Sequence, residues 1–232
     1  MTESELRSLY VDVARSYYGA VQGDTKHKEI VDIYNSHKPL ARSYPLKYTD
    51  HWCAGFVSAM AIKCGLTDII PTEVGCGKMI DLFKKIGSWQ ENDAYIPKPG
   101  DVIFYDWSDS GSGDNTTSPD HVGIVVRVTD DVIRVIEGNM DRRVWHRDVP
   151  VNGKYIRGFG VPNFAAKTEE EKKNTSKFKD VKDGAWYAEE VERAAELGLM
   201  VGVSETEFGV GQPVTREQLA AVAVRLYDSL KP

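Results

Sequence analysis

Residues 121–139 read HVGIVVRVTDDVIRVIEGN, and this stretch decides the fold. Two runs rich in β-branched side chains, 121–128 and 132–137, flank a short polar segment, which is typical of an antiparallel hairpin. A three-residue loop sets Asn139 opposite His121, and Glu137 opposite Gly123. A two-residue turn would break this match, so we expect a loop of three or five residues.

The hairpin predicts a histidine that is held in place by a strand and has polar side chains beside it. Side chains alternate along a strand, so His121, Gly123 and Val125 share one face, and Glu137 and Asn139 lie on it too. An imidazole held beside an orienting carboxylate or amide is the base of many nucleophilic hydrolases. The alternative is a structural strand histidine, with residues 137–139 simply ending the strand in a turn.

The nucleophile is sought among three cysteines, an odd number without a CxxC pair, which argues against a disulfide framework and a structural zinc site. Cys53 lies at the start of a helix predicted over 52–64, where a thiolate is stabilised. Cys64 lies at the far end of that helix, and Cys76 lies between two glycines in a predicted loop. Position ranks Cys53 first, although an inert core cysteine is the alternative. His51 is an alternative candidate for the base, but it lies on the same short segment as Cys53 and is not held by a separate secondary-structure element.

The remaining pattern places helices before strands, which predicts an α+β domain. Helical spacing covers 3–18 and 79–86, and a loop is predicted over 34–49. Further strands are predicted at 101–107 and 155–162, and two more helices at 186–197 and 215–230. The charged run 165–177 is interpreted as a linker, which gives domains at 1–164 and 178–232.

Composition excludes several classes of protein. The 232 residues carry a net charge of −6 without a basic block, which argues against nucleic-acid binding. No run of 18 apolar residues suggests a membrane span. The loop 106–114 is similar to a calcium loop, but Thr117 stands where the EF-hand template needs Glu, so a groove wall is the preferred interpretation. No metal or cofactor is expected. The polar surroundings of His27, His37 and His146 predict that all three are exposed.

Residues 1–164 resemble the CHAP family of cysteine, histidine-dependent amidohydrolases and peptidases. The resemblance rests on WCAGFV at 52–57, PGD at 99–101, HVGI at 121–124 and EGN at 137–139. It implies a papain-like or NlpC-type fold, with N-terminal helices packed on an antiparallel sheet, that hydrolyses amide bonds of peptidoglycan. The implied catalytic residues are Cys53 as nucleophile, His121 as base, and Glu137 and Asn139 as orienting groups. The bond cleaved stays open between the muramoyl–L-alanine amide and an amide within the peptides. Trp52, Trp107 and Asp120 are candidate substrate contacts, and packing in the core is the alternative for the two tryptophans.

Residues 177–230 resemble one S-layer homology repeat, through FKDV at 178–181, WY at 186–187, AAELG at 194–198 and VTREQ at 214–218. The resemblance implies non-covalent attachment to secondary cell-wall polysaccharide, through Arg216 and Trp186. Such repeats usually occur in threes, so a single repeat predicts a homo-oligomer, for instance a trimer. The alternative is that the two helices only cap the catalytic domain.

Together these features predict a peptidoglycan hydrolase of the phage or prophage endolysin type. Residues 1–7 are acidic where a signal peptide is basic, so we expect synthesis in the bacterial cytoplasm and action on the wall after release, with a holin if phage-encoded. A host autolysin is the alternative enzyme. A catalytically dead, wall-anchored structural protein is the alternative from another class.

Overall fold

The computed structural model describes residues 1–111, 115–168, 177–182 and 185–229. The chain divides into two compact units, Met1–Thr168 and Glu169–Pro232. The predicted start of the linker at residue 165 falls inside a 3-10 helix of the first unit, in which Phe164 is buried. Residues 169–176 of the predicted linker lie outside the described residues.

Four α-helices build one side of the first unit: α1 (Glu3–Ser16), α2 (Thr25–Ser36), α3 (Cys53–Lys63) and α4 (Cys76–Lys85). Thr2 and Glu5 form a capping box at the start of α1. The helix α3 is buried around its whole circumference rather than along one stripe, because α1, α2 and the sheet all pack against it. Its N-terminus is therefore fixed in place from several directions.

Helix α2 was missed in the sequence and corrects two predictions. Asp24 caps it by accepting the backbone N–H of His27, and Ile30, Val31 and Tyr34 turn into the core. The predicted loop therefore begins after Ser36 and includes a short 3-10 turn, Ala41–Ser43. His27 is fully buried, not exposed as predicted, because α2 packs its ring against Trp52.

The other side of the unit is a six-stranded antiparallel sheet in the order β1-β6-β2-β3-β4-β5. The strands are β1 (Trp89–Gln90), β2 (Val102–Tyr105), β3 (His121–Val128), β4 (Val132–Met140), β5 (Arg143–Pro150) and β6 (Ile156–Gly160). Helices followed by an antiparallel sheet confirm the α+β prediction. The sequence reading did not include β1 or the edge strand β5.

The sheet is buried on both faces. Val122, Ile124 and Ile136 belong to the larger core cluster formed with the helices. Tyr105, Val125 and Val135 belong to a second cluster on the opposite face. The strand alternation therefore separates two cores, and His121, Gly123 and Val125 at the start of β3 belong to the face away from the helices.

The β3–β4 hairpin has the predicted pairing near His121, but its turn is shorter than the predicted loop. Next to the turn, Val128 pairs with Ile133, and Thr129 N–H donates to Val132 O, which makes a two-residue turn. A bulge between Val125 and Arg127 then shifts the register by one residue, so Ile124 pairs with Ile136. The bulge restores the register that places Glu137 beside Gly123.

The second unit contains α5 (Ala188–Glu196) and α6 (Arg216–Ser229). Its small core of Phe178, Val181, Ala188 and Val191 includes residues of α5 but none of α6. The carboxylate of Asp180 accepts backbone N–H groups from the segment 208–210, which fixes the turn between the two helices. Large apolar side chains of α6 stay exposed in this unit, among them Leu219, Val224 and Leu226. Across the described ranges, the helices are all too short or too polar to cross a membrane.

The contact of Gly138 with α3 gives a stability prediction. A Cβ at Gly138 would overlap Phe56 Cβ and lie 2.7 Å from Phe56 Cγ, where neither atom can move without shifting α3. We expect Gly138→Ala to lower the free energy of unfolding by about 1–3 kcal/mol, measured by urea denaturation. Gly77→Ala is the matched control, because its Cβ would lie 3.8 Å from Pro119 Cδ in ordinary contact. Equal stability of the two variants would contradict the packing described here.

Candidate active site

The thiol of Cys53 lies at the first residue of α3, and its side chain is 6% exposed. Among the described residues, no side chain caps this helix, and the backbone N–H of Ala54 points at the sulfur. The positive end of the helix dipole and this N–H both favour a thiolate. The helix start therefore holds the nucleophile where the dipole and a backbone N–H both stabilise its charged form.

The imidazole of His121 begins β3 and is 8% exposed. Its Nε2 lies 3.1 Å from Glu137 Oε2, so Nδ1 is the nitrogen left to face the thiol. Gly123 makes this approach possible, since a Cβ there would lie 2.5 Å from Val135 Cγ1 and 2.7 Å from Glu137 Cγ. The structure thus brings Cys53, His121 and Glu137 together, as the sequence predicted.

The carboxylate of Glu137 is fully buried and is held by a guanidinium that the sequence reading missed. Arg147 Nε donates to both carboxylate oxygens, at 2.8 and 3.0 Å. The Arg147 guanidinium also lies over the ring of Trp107, with 4.9 Å between its carbon and the ring centroid. Arg147 comes from β5, and the β-rich run VWHRDV at 144–149 was the signal that could have revealed it.

The charges of the site support one another. The hydrogen bond from Cys76, the nearby imidazolium and the helix N–H together hold the pKa of Cys53 well below its usual range, although burial opposes them. Burial lowers the pKa of His121, but the interactions with Cys53 and Glu137 outweigh it and raise the pKa to about 9. Burial also raises the pKa of Glu137, and the bonds from His121 and Arg147 more than reverse this. The resting site is therefore a thiolate–imidazolium pair.

Asn139 does not contact His121, which corrects its predicted role. The residue has a positive φ of 60°, and the β4–β5 register shifts between Glu137 and Met140, so the strand alternation fails beyond Glu137. The Asn139 amide lies 3.3 Å from Nδ1 of His51 instead. His51 is thus held at the rim by Asn139, while Glu137 alone orients His121.

The three candidate substrate contacts have different surroundings. Trp52 is fully buried against His27 and Phe56, so its predicted contact with substrate is wrong. Trp107 is 41% exposed and stacks on Tyr105, with 5.0 Å between ring centroids. Asp120 is exposed, and its Oδ2 accepts the backbone N–H of Trp107 at 2.8 Å. The roles of Trp107 and Asp120 at a substrate stay predictions.

The other two cysteines occupy contrasting positions. Cys64 follows the last residue of α3, and burial raises the pKa of its thiol to about 11, which agrees with its rank below Cys53 in the sequence. Cys76 is the first residue of α4 rather than part of a loop, and its sulfur lies 3.6 Å from that of Cys53. Both cysteines therefore lie at the start of a helix, and the neighbouring imidazole is the feature that distinguishes Cys53 from Cys76.

In the loop that follows β2, the first acidic side chain is held by hydrogen bonds from within the loop. Asp106 accepts the backbone and hydroxyl groups of Ser108 and the hydroxyl of Thr117. Within the described ranges there is no group of three or more potential metal ligands, and residues 112–114 of the predicted calcium-like loop lie outside them.

In the second unit, Trp186 is 86% exposed and lines a groove of about 570 Å³ with Tyr187 and Arg225. Arg216 is the first residue of α6 and is also exposed, outside the set of residues that line this groove. Both residues are accessible to a polymer, and their binding roles stay predictions.

Comparison with known proteins assigns both units. Residues 43–139 match the CHAP domain, and residues 177–220 match the S-layer homology domain. The chain carries these two domains in the order that the sequence predicted. A CHAP domain implies a peptidoglycan amidase or peptidase, and an S-layer homology domain implies attachment to the cell wall.

Curated relatives match over short segments. An endoglucanase from Bacillus sp. (strain KSM-635) is 43% identical over 54 residues, and a cell surface protein from Thermoanaerobacter kivui is 46% identical over 58. A surface-layer 125 kDa protein from Lysinibacillus sphaericus is 39% identical over 51. The matches cover 22–24% of this chain but only 4–8% of the relatives. No solved structure matches the chain significantly.

The thiolate–imidazolium pair gives a prediction for the reactivity of Cys53. Its alkylation by iodoacetamide should reach full rate well below the pH at which an ordinary thiol ionises. Glu137→Gln removes the charge that stabilises the imidazolium, so the pKa of His121 falls and that of Cys53 rises by about 1 unit or more. The rate of Cys53 modification against pH, read by mass spectrometry, measures both midpoints.

Cys64→Ser is the control for this experiment, because Cys64 is remote from the pair and should leave the profile unchanged. An identical midpoint in wild type and Glu137→Gln would show that the carboxylate does not act through His121.

Proposed function

We propose that the chain hydrolyses amide bonds of bacterial peptidoglycan with Cys53 as the nucleophile. The observation that carries the proposal is the buried line of charges from the Cys53 thiol through His121 and Glu137 to Arg147. Such a line fixes the tautomer and orientation of the imidazole and stabilises its charged form. The CHAP domain match supplies the substrate class.

Acylation follows from this geometry. The Cys53 thiolate attacks the carbonyl carbon of the scissile amide, and negative charge develops on the carbonyl oxygen. The backbone N–H of Cys53, at the uncapped start of α3, is in position to stabilise that oxyanion. The His121 imidazolium donates its proton to the leaving amine, which departs and leaves a thioester on Cys53.

Deacylation reverses the role of the histidine. Neutral His121 takes a proton from water, the resulting hydroxide attacks the thioester, and the thiolate leaves with a carboxylic acid as product. Glu137 and Arg147 stay in place throughout, because Nε of Arg147 donates to both oxygens of the Glu137 carboxylate. Asn139 and His51 lie at the rim and take no part in proton transfer in this scheme.

The exposed aromatic surface beside His121 supports a large substrate. Trp107 lies between Tyr105 and Tyr155, and its centroid is 6.2 Å from that of His121. A half-exposed indole next to the reacting atoms offers a stacking surface for a sugar or peptide plane. Both an N-acetylmuramoyl-L-alanine amidase and a peptidoglycan endopeptidase fit this surface.

For the whole chain we propose an endolysin of phage or prophage type, made in the cytoplasm and acting on the wall after release. The combination of a CHAP domain and an S-layer homology domain supports a wall enzyme with its own attachment module. A host autolysin is the alternative enzyme. A dead, wall-anchored structural protein is disfavoured by the intact chain of hydrogen bonds behind Cys53.

We expect purified chain to clear a suspension of Gram-positive cell walls, and Cys53→Ala to lower the initial rate of clearing by about 1000-fold or more. Cys64→Ser is the matched control and should retain the rate, because its thiol lies at the other end of α3. Mass spectrometry of the released fragments identifies the bond cleaved. Equal clearing by wild type and Cys53→Ala would overturn the assignment of the nucleophile.

The second unit is proposed to bind secondary cell-wall polysaccharide through Arg216 and Trp186, and to associate with copies of itself. Exposed apolar side chains of α6 support the association. In a sedimentation assay, Arg216→Ala should weaken binding to intact walls by about 10-fold, and walls stripped of the polysaccharide should bind neither protein. Lys177→Ala is the control cation. A monomer in light scattering at micromolar concentration would exclude self-association.

A further inference from the structure

The hydrolytic scheme leaves one partly buried nucleophile unused, the thiol of Cys76. Its sulfur lies 3.6 Å from that of Cys53, and the two residues begin α4 and α3. Both helix starts therefore meet at a pair of thiols, and the cysteines are all reduced in the structure. Cys64, at the C-terminal end of α3, takes no part in this pair.

The two sulfur atoms are in van der Waals contact, so a modest movement would bring them to bonding distance. A disulfide has an S–S distance of about 2.05 Å, so closing the gap needs a movement of about 1.6 Å shared between two side chains. Rotation about the two Cα–Cβ bonds is the side-chain movement that brings the sulfurs together.

The two thiols differ in their chemical roles. His121 stabilises the thiolate of Cys53, which is therefore the sulfur that attacks an electrophile first. Cys76 stays protonated, since its hydrogen bond to Cys53, its burial and the charge of Cys53 all raise its pKa. Once Cys53 is oxidised and neutral, that charge is gone, and the start of α4 favours ionisation of Cys76.

We propose that Cys53 and Cys76 form a reversible disulfide when a hydroperoxide reaches the site, with Cys76 as the resolving thiol. The Cys53 thiolate attacks one oxygen of hydrogen peroxide, the O–O bond breaks, and the imidazolium proton of His121 completes the first water. The sulfur of Cys76 then attacks the sulfenic sulfur of Cys53, the S–O bond breaks, and the proton of Cys76 completes the second water. Two thiols lose two electrons, and the peroxide is reduced to two waters.

The bond has two consequences for the protein. It removes the nucleophile, so the oxidised form cannot acylate, and this consequence rests on the proposed function. It also protects Cys53 from irreversible oxidation to the sulfinic acid, because the sulfenic acid is trapped by a neighbour already in contact. Thiols restore the reduced pair by exchange.

The bond is tested on the full chain without reference to activity. After treatment with hydrogen peroxide and denaturing alkylation, we expect a mass loss of about 2 Da and one remaining alkylatable thiol. Trypsin leaves Cys64 and Cys76 on one peptide, and Glu-C leaves Cys53 and Cys64 on one peptide. A digest with both enzymes, which cleave after Lys63 and Glu73, separates the three cysteines and shows whether the link joins Cys53 to Cys76. Cys64→Ser should form the link as wild type does. Absence of the Cys53–Cys76 peptide, or a link to Cys64, would overturn the proposal.

The protective role is tested with Cys76→Ser. Peroxide should convert Cys53 of this variant to the sulfinic acid, a gain of about 32 Da that dithiothreitol does not reverse. Wild type and Cys64→Ser should lose at least about 10-fold of their wall-clearing rate on oxidation and regain it with dithiothreitol. Full recovery of Cys76→Ser, relative to its own reduced rate, would contradict the resolving role. If no form clears walls, the proposed function fails, while the two mass measurements still decide the disulfide.

Discussion

The interaction on which the rest of the site depends is the hydrogen bond that Nε of Arg147 shares between the two oxygens of the buried Glu137 carboxylate. A fully buried carboxylate without a partner would take up a proton, and a neutral Glu137 could not hold an imidazolium. Arg147 keeps the charge on Glu137, Glu137 keeps the proton on His121, and His121 keeps the thiolate on Cys53. A side chain of the edge strand β5 thus influences the ionisation of a residue at the start of α3.

The sequence predicts those parts of the site that depend on the local pattern of residues along one helix or one hairpin. Alternation along β3 and β4 places Glu137 near His121, and a polar residue at the start of an apolar helix points to Cys53. Arg147 was not predictable in the same way, because β5 is an edge strand whose polar side chains acquire a face only through pairing with β4. The left-handed backbone at Asn139 likewise interrupts the alternation of side chains, although the sequence suggests that the alternation continues to this residue.

The paired thiols show how tertiary contacts change the meaning of a motif. A cysteine between two glycines suggests a loop, yet Gly75 is the cap of α4 and Cys76 its first residue, packed against the start of α3. Sequence position separated the two sulfurs by 23 residues, and the fold brings them into contact. The bulge in β3 is a second feature that tertiary structure reveals. The length of the turn does not predict it, because the bulge shifts the strand register three residues away from the turn.

The ionised site contains two negative groups, Cys53 and Glu137, and two positive groups, His121 and Arg147. Their fields largely cancel beyond a few ångströms, so this cluster contributes little to long-range steering of a charged polymer. The approach of the chain to a wall is then governed by its overall charge of −6, which dissolved salt screens. Ionic strength should therefore act on the encounter with the wall, while the rate of bond cleavage after docking is insulated from it.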